Sequence, residues 1–382
     1  MLGLGAAALL LLWPRPKTFA ALDPIPAQWG DGKLQGHSGQ MVLHAHGSPE
    51  QIGEQHGHLL RHAIAAMLQG YLRQDVCGGR QATMDRLLAR VRVMKPALPD
   101  SFRAELRACA RAADVDEDEL LLAQCEGDIA SLKSDKPTPA ACSAYVVFGD
   151  PRISGGQMRA GRNFDYSAGD FLHHCALATY VTPRPGDGHA FLAVGWSGIL
   201  TGWTLVNDRG LVVANHCGGG RETNPQGIPT LIMSRLLAQQ AGTVDEALAL
   251  LRRSPRMRGQ IIWLGQPADP ATGRPARAVA AEYDAERVFV READHGVLLV
   301  SNRNVVFGGK QPSANEAARD SVFADLQRAL ELYPDGPNPI ITATGRPSTL
   351  HSVEVDFERR QVWIAHGRVP AQDGPFISYP LP

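Results

Sequence analysis

The sequence predicts an α+β protein in which a mostly helical first third precedes a mainly antiparallel sheet. The chain has 382 residues, enough for one large domain or two ordinary ones. Apolar residues recur at helical spacing in the first third, and short β-branched and aromatic runs follow one another closely afterwards. Closely spaced strands indicate mainly antiparallel pairing, with helices segregated to cover the sheet.

Composition excludes several classes of function. Lys and Arg total 38 against 39 acidic residues, so nothing indicates attraction to nucleic acid or to an anionic membrane. The six cysteines include no CxxC pair and therefore no zinc-ribbon or redox motif. Histidines cluster between His37 and His62, but no HExxH motif accompanies them. We interpret them as surface or core residues and predict no metal and no cofactor.

The N-terminal segment differs in composition from the rest of the chain. Leu2–Trp13 is an unbroken apolar run, too short to span a bilayer comfortably but suited to the core of a signal peptide. Pro14 and Pro16 end the run, and small residues follow at Ala20. We predict that residues 1–21 are a signal peptide or N-terminal anchor and that the protein is exported, periplasmic or secreted. A buried first helix is the alternative.

Helices are predicted over the segment that ends near residue 132. Ser48-Pro49-Glu50-Gln51 has the N-cap, N1 proline and N3 glutamine of a capping box, and apolar residues continue at helical spacing to Leu72. Further helices are expected at about 83–95 and 101–113, and Asp116 caps a fourth. The polar, proline-broken stretch 133–139 is typical of a linker.

Short strands are predicted beyond the linker, with helical spans among them. We expect strands at 143–149, 157–164, 174–182, 189–195, 201–206, 210–215, 259–264, 277–283, 286–291, 296–301, 349–356 and 361–366. The helical spans lie at about 229–253, where Thr243 restarts the helix, and at about 314–332.

The first two predicted strands form a hairpin that places a thiol near charged groups. If the hairpin folds about Arg152 and Ile153, Cys142 lies opposite residues 162–164. A cation such as Arg162 lowers the pKa of a nearby thiol, and Asp165 ends the same strand. The alternative for Cys142 is a small buried strand cysteine.

The residues alone leave the base for such a thiol open. His173, His174 and His216 are candidates for a cysteine–histidine pair, but nothing in the sequence fixes one of them near Cys142. Cleavage of the Ala141–Cys142 bond would instead create an α-amine on the nucleophile's own residue, with a pKa of about 7.7–8.0.

Cys142-Ser143, followed some twenty residues later by Gly-Arg-Asn-Phe-Asp-Tyr, resembles the N-terminal-nucleophile (Ntn) hydrolases. The likeness is strongest to the autoproteolytic penicillin acyltransferase-like family, of the acyl-CoA:6-aminopenicillanic acid acyltransferase type, which is related to choloylglycine hydrolases and acid ceramidases. Segments at 52–57, 210–215, 300–302 and 349–353 agree in order, so the resemblance covers about residues 40–370. Ser143 and Tyr166 stand where many relatives have Thr and Trp, which leaves substrate preference open.

The resemblance implies a four-layer αββα sandwich with two mainly antiparallel sheets. It also implies a precursor that cleaves itself between Ala141 and Cys142 into an α chain, residues 22–141, and a β chain, residues 142–382. The two chains would remain together as a heterodimer. Cys142 would be the nucleophile and its α-amine the general base.

The resemblance also implies roles for five other residues. Arg162 would favour the thiolate or bind substrate, and Asp165 would hold the α-ammonium group. Asn215 and Asn302 would form an oxyanion hole. Arg319 would be a further arginine of the family's site. Without the resemblance, Asp165 could form a structural ion pair with Arg162, and the asparagines could be turn residues at strand ends.

The sequence thus predicts an exported hydrolase or acyltransferase that acts on linear amide bonds of small N-acyl compounds through a Cys142 thioester. No nucleic acid and no stable membrane domain beyond the N-terminal segment are expected as partners. An uncleaved thiol hydrolase with a histidine base is one alternative. A non-catalytic exported binding protein with the same fold is the other.

Overall fold

The computed structural model describes residues 23–132, 140–166, 171–307, 314–332, 336–337 and 339–382. The predicted signal peptide or anchor at 1–21 and the predicted linker at 133–139 lie outside these described residues. Within the described ranges, no helix is both long enough and apolar enough to cross a membrane.

The strands of the described chain form two sheets. In chain order they are β1 (Ala27–Trp29), β2 (Gly32–His37), β3 (Gln40–Gly47), β4 (Ala140–Val147), β5 (Arg159–Tyr166), β6 (Ala176–Pro183), β7 (Phe191–Trp196), β8 (Thr204–Asn207), β9 (Val212–His216), β10 (Gln260–Gln266), β11 (Arg277–Tyr283), β12 (Val288–Glu292), β13 (Val297–Val300), β14 (Thr349–Asp356), β15 (Gln361–His366) and β16 (Ile377–Pro380). The larger sheet has the order β1-β2-β3-β6-β7-β8-β9-β10-β11-β12, and the smaller has β13-β4-β5-β14-β15-β16. The β3–β6 pair is parallel and the other described pairs are antiparallel, which confirms the predicted pairing.

The helices lie on the outer faces of these sheets. In chain order they are α1 (Pro49–Leu59), α2 (Arg61–Met67), α3 (Gln81–Met94), α4 (Asp100–Ala113), α5 (Glu117–Ala123), α6 (Glu126–Ser131), α7 (Thr230–Gln240), α8 (Val244–Arg253), α9 (Ala314–Phe323), α10 (Leu326–Leu332) and α11 (Pro339–Thr344). A π-helical segment, Leu68–Val76, continues α2. Short 3-10 turns occupy Lys95–Ala97, Ser154–Gly156, Leu172–Cys175 and Ala371–Asp373.

The predicted helix starts are confirmed by their capping contacts. Ser48 and Gln51 form the reciprocal capping box at the start of α1. Asp116 accepts from the Glu119 N–H, and Thr243 caps α8 as predicted. The first helix does not continue unbroken to Leu72, because the backbone of Leu60 leaves the helical region (φ −127°, ψ 24°).

The strands β1–β3 precede the first helix and were not predicted. The sequence of β3, Gln-Met-Val-Leu-His-Ala-His-Gly, mixes apolar and polar residues, so its local pattern is a weak strand signal. Its parallel pairing with β6, from Met41 opposite Leu177 onwards, is a long-range contact that integrates the N-terminal segment into the larger sheet. The predicted division at residues 141 and 142 stays a prediction.

Four layers, in the order helix, sheet, sheet, helix, follow from the way the two sheets bury their faces. Val42 of β3 packs in the cluster between the sheets, together with Val353 of the smaller sheet. The next residue, Leu43, points to the other face and packs with the helices of the first layer. On the far side, Tyr145 of β4 packs against Phe323 of α9. The predicted α+β, four-layer αββα sandwich is confirmed.

Candidate active site

The β4–β5 hairpin places the predicted nucleophile. Cys142 lies opposite Phe164, within the predicted range of 162–164, and Ala141 lies opposite Asp165. Arg162 lies opposite Ala144, two positions further along β4. Because side chains alternate along a strand, residues two positions apart lie on the same face of the sheet. Cys142 and Arg162 therefore share a face, and the guanidinium can reach the sulfur. The hairpin prediction is confirmed.

Arg162 is the residue that contacts the Cys142 sulfur. Its Nη2 donates to Sγ over 3.8 Å and to the backbone carbonyl of Asn215. Its Nη1 donates to Thr204 Oγ1 over 2.9 Å and to His351 Nε2 over 2.8 Å. The side chain is buried, so these acceptors fix the orientation of the guanidinium without help from solvent.

Burial determines the protonation of the thiol in the intact chain. The loss of solvent raises the pKa of Cys142, Arg162 and Arg319 oppose that rise, and Asp165 adds to it. The predicted contact with Arg162 is present, but desolvation outweighs it. Cys142 is therefore a protonated thiol at neutral pH while the chain is uncleaved.

Asp165 is paired with Arg319, not with Arg162. The Asp165 carboxylate accepts from Arg319 Nη2 and, over 2.6 Å, from Thr349 Oγ1. Arg319 Nη1 also donates to the carbonyl oxygen of Cys142 over 2.9 Å. Desolvation raises the pKa of Asp165, and the Arg319 guanidinium opposes the rise. The alternative of an Asp165–Arg162 ion pair is wrong, because Arg319 on α9 occupies the carboxylate.

The two predicted oxyanion-hole asparagines lie beside Cys142, but their amides already have partners. Asn302 Oδ1 accepts from the Cys142 backbone N–H, and its Nδ2 donates to the Cys217 carbonyl over 2.9 Å. Asn215 Nδ2 donates to Ser234 Oγ over 3.3 Å. In the intact chain Asn302 therefore orients the amide that would become the α-amine. The oxyanion role of both asparagines stays a prediction.

No described histidine is hydrogen-bonded to the Cys142 sulfur. His216 is buried on β9, where burial and then Arg162 and Arg319 lower its pKa well below the ordinary value. His173 and His174 lie on the turn before β6, with their rings 3.8 Å apart. A histidine base for Cys142 therefore finds no support in the contacts of the described residues.

The residues that hold the charged groups in place had no predicted role. Thr204 and His351 accept from Arg162, and Thr349 donates to Asp165. Thr349 is 184 residues from Asp165 along the chain, so no local pattern joins them. For Thr349 and His351, the available signal was their place in the segment 349–353, which resembles the family.

A cleft opens next to this site. Asn215 and Phe164, the residue opposite Cys142, are part of its lining, as is Cys217. The other lining residues are Gln124, Cys125, Glu126, Gly127, Asp128, Tyr166, Trp203, Thr230, Leu231, Arg258 and Gln260. The cleft thus has an apolar part near the hairpin and a polar part formed by α6 and its neighbours.

The histidine-rich segment holds no metal cluster within the described residues, and no other such group of His, Cys, Asp or Glu was found there. His56 is buried, and its Nε2 accepts from the Gly198 N–H over 3.0 Å. His58 stacks on Trp29, and His44 stacks on Tyr180. These histidines have structural contacts, as the interpretation of surface or core residues expects.

Fold and site together define a class: a four-layer αββα protein whose central hairpin presents a cysteine next to an arginine. A family model matches part of the chain. The model of the family described as acyl-coenzyme A:6-aminopenicillanic acid acyl-transferase matches residues 154–277, a segment that includes Arg162, Asp165 and Asn215. The resemblance seen in the sequence is confirmed by this match.

One curated relative matches this chain at low sequence identity. An uncharacterized protein of Archaeoglobus fulgidus is 26% identical over 282 residues, which make up 68% of this chain and 46% of that protein. The chain therefore spans about half the length of this curated relative.

Three solved structures are similar to this chain at low sequence identity. A Caenorhabditis elegans ortholog of N-acylethanolamine-hydrolyzing acid amidase has a TM-score of 0.42 at 13% identity, over 63% of this chain and 100% of that one. Penicillin V acylase from Agrobacterium tumefaciens has a TM-score of 0.38 at 13% identity, over 59% and 83%. A conjugated bile acid hydrolase from Clostridium perfringens has a TM-score of 0.38 at 14% identity, over 63% and 97%.

Proposed function

We propose that this protein is an amide-bond hydrolase or acyltransferase that uses Cys142 as its nucleophile after cleaving its own Ala141–Cys142 bond. One observation carries the proposal. Three different side chains contact the nitrogen, the carbonyl oxygen and the sulfur of Cys142, namely Asn302, Arg319 and Arg162. A structural cysteine needs none of these contacts, whereas a residue that becomes a reactive N-terminus needs all three atoms fixed.

Self-cleavage would begin with the thiol. Sγ of Cys142 attacks the carbonyl carbon of Ala141, and the carbon–nitrogen bond to Cys142 breaks. The thiol proton passes to the departing nitrogen, so that a thioester and a free α-amine result. Water then hydrolyses the thioester and leaves Cys142 as a new N-terminus. Asn302, which accepts from this nitrogen, would hold it in place during the change.

Turnover would repeat the same chemistry on an N-acyl substrate. The α-amine accepts the thiol proton, Sγ attacks the substrate carbonyl, and the leaving amine takes the proton back. The oxyanion would be stabilised by Asn215 and Asn302 after they release Ser234 and the Cys217 carbonyl. Water on the resulting thioester gives hydrolysis and an amine gives acyl transfer; we favour hydrolysis.

The proposal includes export of the protein and pairing of its two pieces. The apolar run Leu2–Trp13 supports export, and the shared sheet formed by β3 and β6 supports continued association of the α and β pieces after cleavage. Substrates would be small N-acyl compounds, such as a β-lactam side-chain amide, an N-acylated amino acid or a lipid amide.

A panel of these amides tests the proposal. Wild-type protein should release the amine and acquire the mass of the acyl group on Cys142 during turnover. Cys142→Ala should lower kcat/KM by about 10⁴-fold or more, because the nucleophile is lost. The matched control is Cys175→Ala, a second buried cysteine outside the cleft, which should remain active. Amide turnover by Cys142→Ala, or no acyl-enzyme on any amide, would refute the proposal.

A further inference from the structure

The polar part of the cleft contains a carboxylate that no cation of the described chain contacts. Glu126, the first residue of α6, lines the cleft and is 8% exposed. Its Oε1 accepts from the Tyr71 hydroxyl and, over 3.2 Å, from the Tyr166 hydroxyl. Burial raises the pKa of both tyrosines, so they remain protonated donors that hold the carboxylate in one orientation.

The second oxygen of Glu126 is open to the cleft. Among the described residues, no donor reaches Oε2, and this atom is not among the fully buried unpaired ones. The neighbouring acid is different. Asp128 accepts from the Thr230 N–H, from Gln260 Nε2 over 3.0 Å, and lies 3.9 Å from Arg258. Glu126 is thus the acid of this cleft that retains an accepting oxygen for a ligand.

The ligand that fits such an oxygen carries a hydrogen-bond donor, and the local charge favours a cation. Arg258 lies 3.9 Å from Asp128, whereas the nearby Asp128 charge raises the pKa of Glu126, so a positive group on the ligand would stabilise the Glu126 carboxylate. The apolar lining formed by Phe164, Trp203 and Leu231 would cover a hydrocarbon chain. A primary ammonium on an alkyl chain combines both properties.

We infer that Glu126 is a specificity-determining residue that binds an ammonium group on the N-acyl substrate, with Tyr71 and Tyr166 orienting its carboxylate. The inference rests on the proposed function, since it places the substrate in the cleft beside Cys142. It also gives a role to Tyr166, which stands where many relatives of the resembled family have Trp.

Ammonium binding by Glu126 should depend on pH, because only the ionised carboxylate carries the negative charge. The titratable groups that influence Glu126 or are influenced by it are Tyr71, Tyr166, Asp128, Cys125 and Cys217. Burial raises the pKa of Glu126 to about 7, and the two tyrosine hydroxyls oppose the rise. The carboxylate therefore predominates above pH 7, and protonation removes it below. The alkylammonium remains charged throughout this range.

Two matched pairs of amides test the inference. In the first, 6-aminohexanoyl and heptanoyl amides of one chromogenic aniline differ by ammonium in place of methyl. In the second, N-(6-aminohexyl)acetamide and N-heptylacetamide place the same difference on the amine side. We expect KM to be about tenfold lower or more for the ammonium member of one pair, because a charge-assisted hydrogen bond is gained. The preference should decline as the pH falls below 7.

Two variants separate recognition from structure. Glu126→Gln keeps an acceptor for the tyrosines but loses the charge, so the ratio of the KM values of the two members of a pair should fall to about one. Tyr166→Phe removes a donor that favours the carboxylate, so the pH at which the preference is half lost should rise. A merely structural role would change both members of a pair equally and leave that midpoint in place.

The outcomes also separate this inference from the proposed function. If wild-type protein turns over no amide, the proposed function fails, and equilibrium binding of the same pairs by calorimetry then tests Glu126 alone. Wild-type protein without preference in both pairs would overturn the inference. A preference that persists unchanged in Glu126→Gln would overturn it as well.

Discussion

At the scale of single residues, the Asp165–Arg319 pair is the interaction on which the geometry of Cys142 depends. Both side chains are buried, and Arg319 also donates to the Cys142 carbonyl. An intact buried ion pair contributes little net stability, because the desolvation of both charges offsets their attraction. The loss of one partner, however, leaves an uncompensated charge inside the protein. The pair therefore positions Cys142 without being a large source of stability.

Replacement of Asp165 by Asn should be costly for this reason. We expect the free energy of unfolding to fall by about 3 kcal/mol or more, because Arg319 keeps its charge in a buried site. The control is Asp187→Asn, which removes the acid of the exposed Arg184–Asp187 pair and should change stability by less than about 0.5 kcal/mol. Urea unfolding measures both. Equal, small effects would show that the buried pair is dispensable.

The sequence allowed the reactive residues to be predicted, but not all of their partners. The register of Cys142 with Phe164 followed from turn position and strand period. The choice of Arg319 over Arg162 as the partner of Asp165 did not, because α9 reaches the site from 154 residues away. Pairing across such distances is decided by packing of the layers, which no local pattern contains.

At the scale of elements, α1 and α4 approach so closely that only glycine fits at two positions of α1. A Cβ on Gly53 would lie 2.1 Å from the Glu105 carbonyl oxygen, and one on Gly57 would lie 2.4 Å from that of Cys109. Both obstacles are backbone atoms of α4, so a side chain cannot simply rotate away. This spacing of four residues accounts for the glycines in the segment that resembles the family's first helix.

Gly57→Ala should therefore destabilise the protein although alanine favours helices. We expect a loss of about 1–3 kcal/mol, because α1 and α4 must move apart. Gly127→Ala in α6 is the matched control, since nothing lies within 4 Å of the added methyl group. That variant should be neutral or more stable by about 1 kcal/mol. Thermal unfolding of the two variants in parallel decides; a stabilising Gly57→Ala would contradict the close packing.

Helices and strands were predicted correctly where the local sequence signal was strong. They were missed where long-range strand pairing determines the structure. The capping residues Ser48, Asp116 and Thr243 marked helix starts correctly. The strands β1–β3 were missed because their residues are mixed in polarity, and β3 is a strand through its pairing with β6. The break at Leu60 has no sequence signal, since leucine is a good helix former.

At the scale of the whole molecule, buried neutral histidines couple folding to pH. His56, His216, His351 and His366 are all buried. Burial is the main cause that lowers the pKa of each, to about 3 for His56 and about 4 for His366. The unfolded chain binds these protons from about pH 6.5 downwards, and the folded chain does not. Stability from these groups is present above pH 6.5 and declines on acidification.

His366 allows this coupling to be measured singly, because neither ring nitrogen has a partner among the described residues. We expect wild-type protein to lose stability relative to His366→Leu as the pH falls from 6.5 to 4, by up to about 3 kcal/mol. Near pH 8 and above, the difference in the free energy of unfolding between the two proteins should not change with pH. Urea unfolding at several pH values gives the difference curve, which cancels opposing contributions from the buried acids. A flat curve would contradict a depressed histidine pKa.

The layered architecture as a whole was within reach of the sequence. Strand spacing predicted antiparallel sheets, and the resemblance implied two of them between helical layers. The cluster between the sheets and the two helix–sheet clusters, which contain Leu43 and Tyr145, confirm this. What remains a proposal is the event that converts the described chain into an enzyme. The nitrogen of Cys142 is an amide in the intact chain and can act as a base only after cleavage.

Intact-mass analysis of the purified protein under denaturing conditions tests that event most directly. We expect two polypeptides, the larger beginning at Cys142, and a single uncleaved chain for Cys142→Ala. Two pieces with any other junction, or a wild-type chain that hydrolyses amides while remaining in one piece, would contradict it.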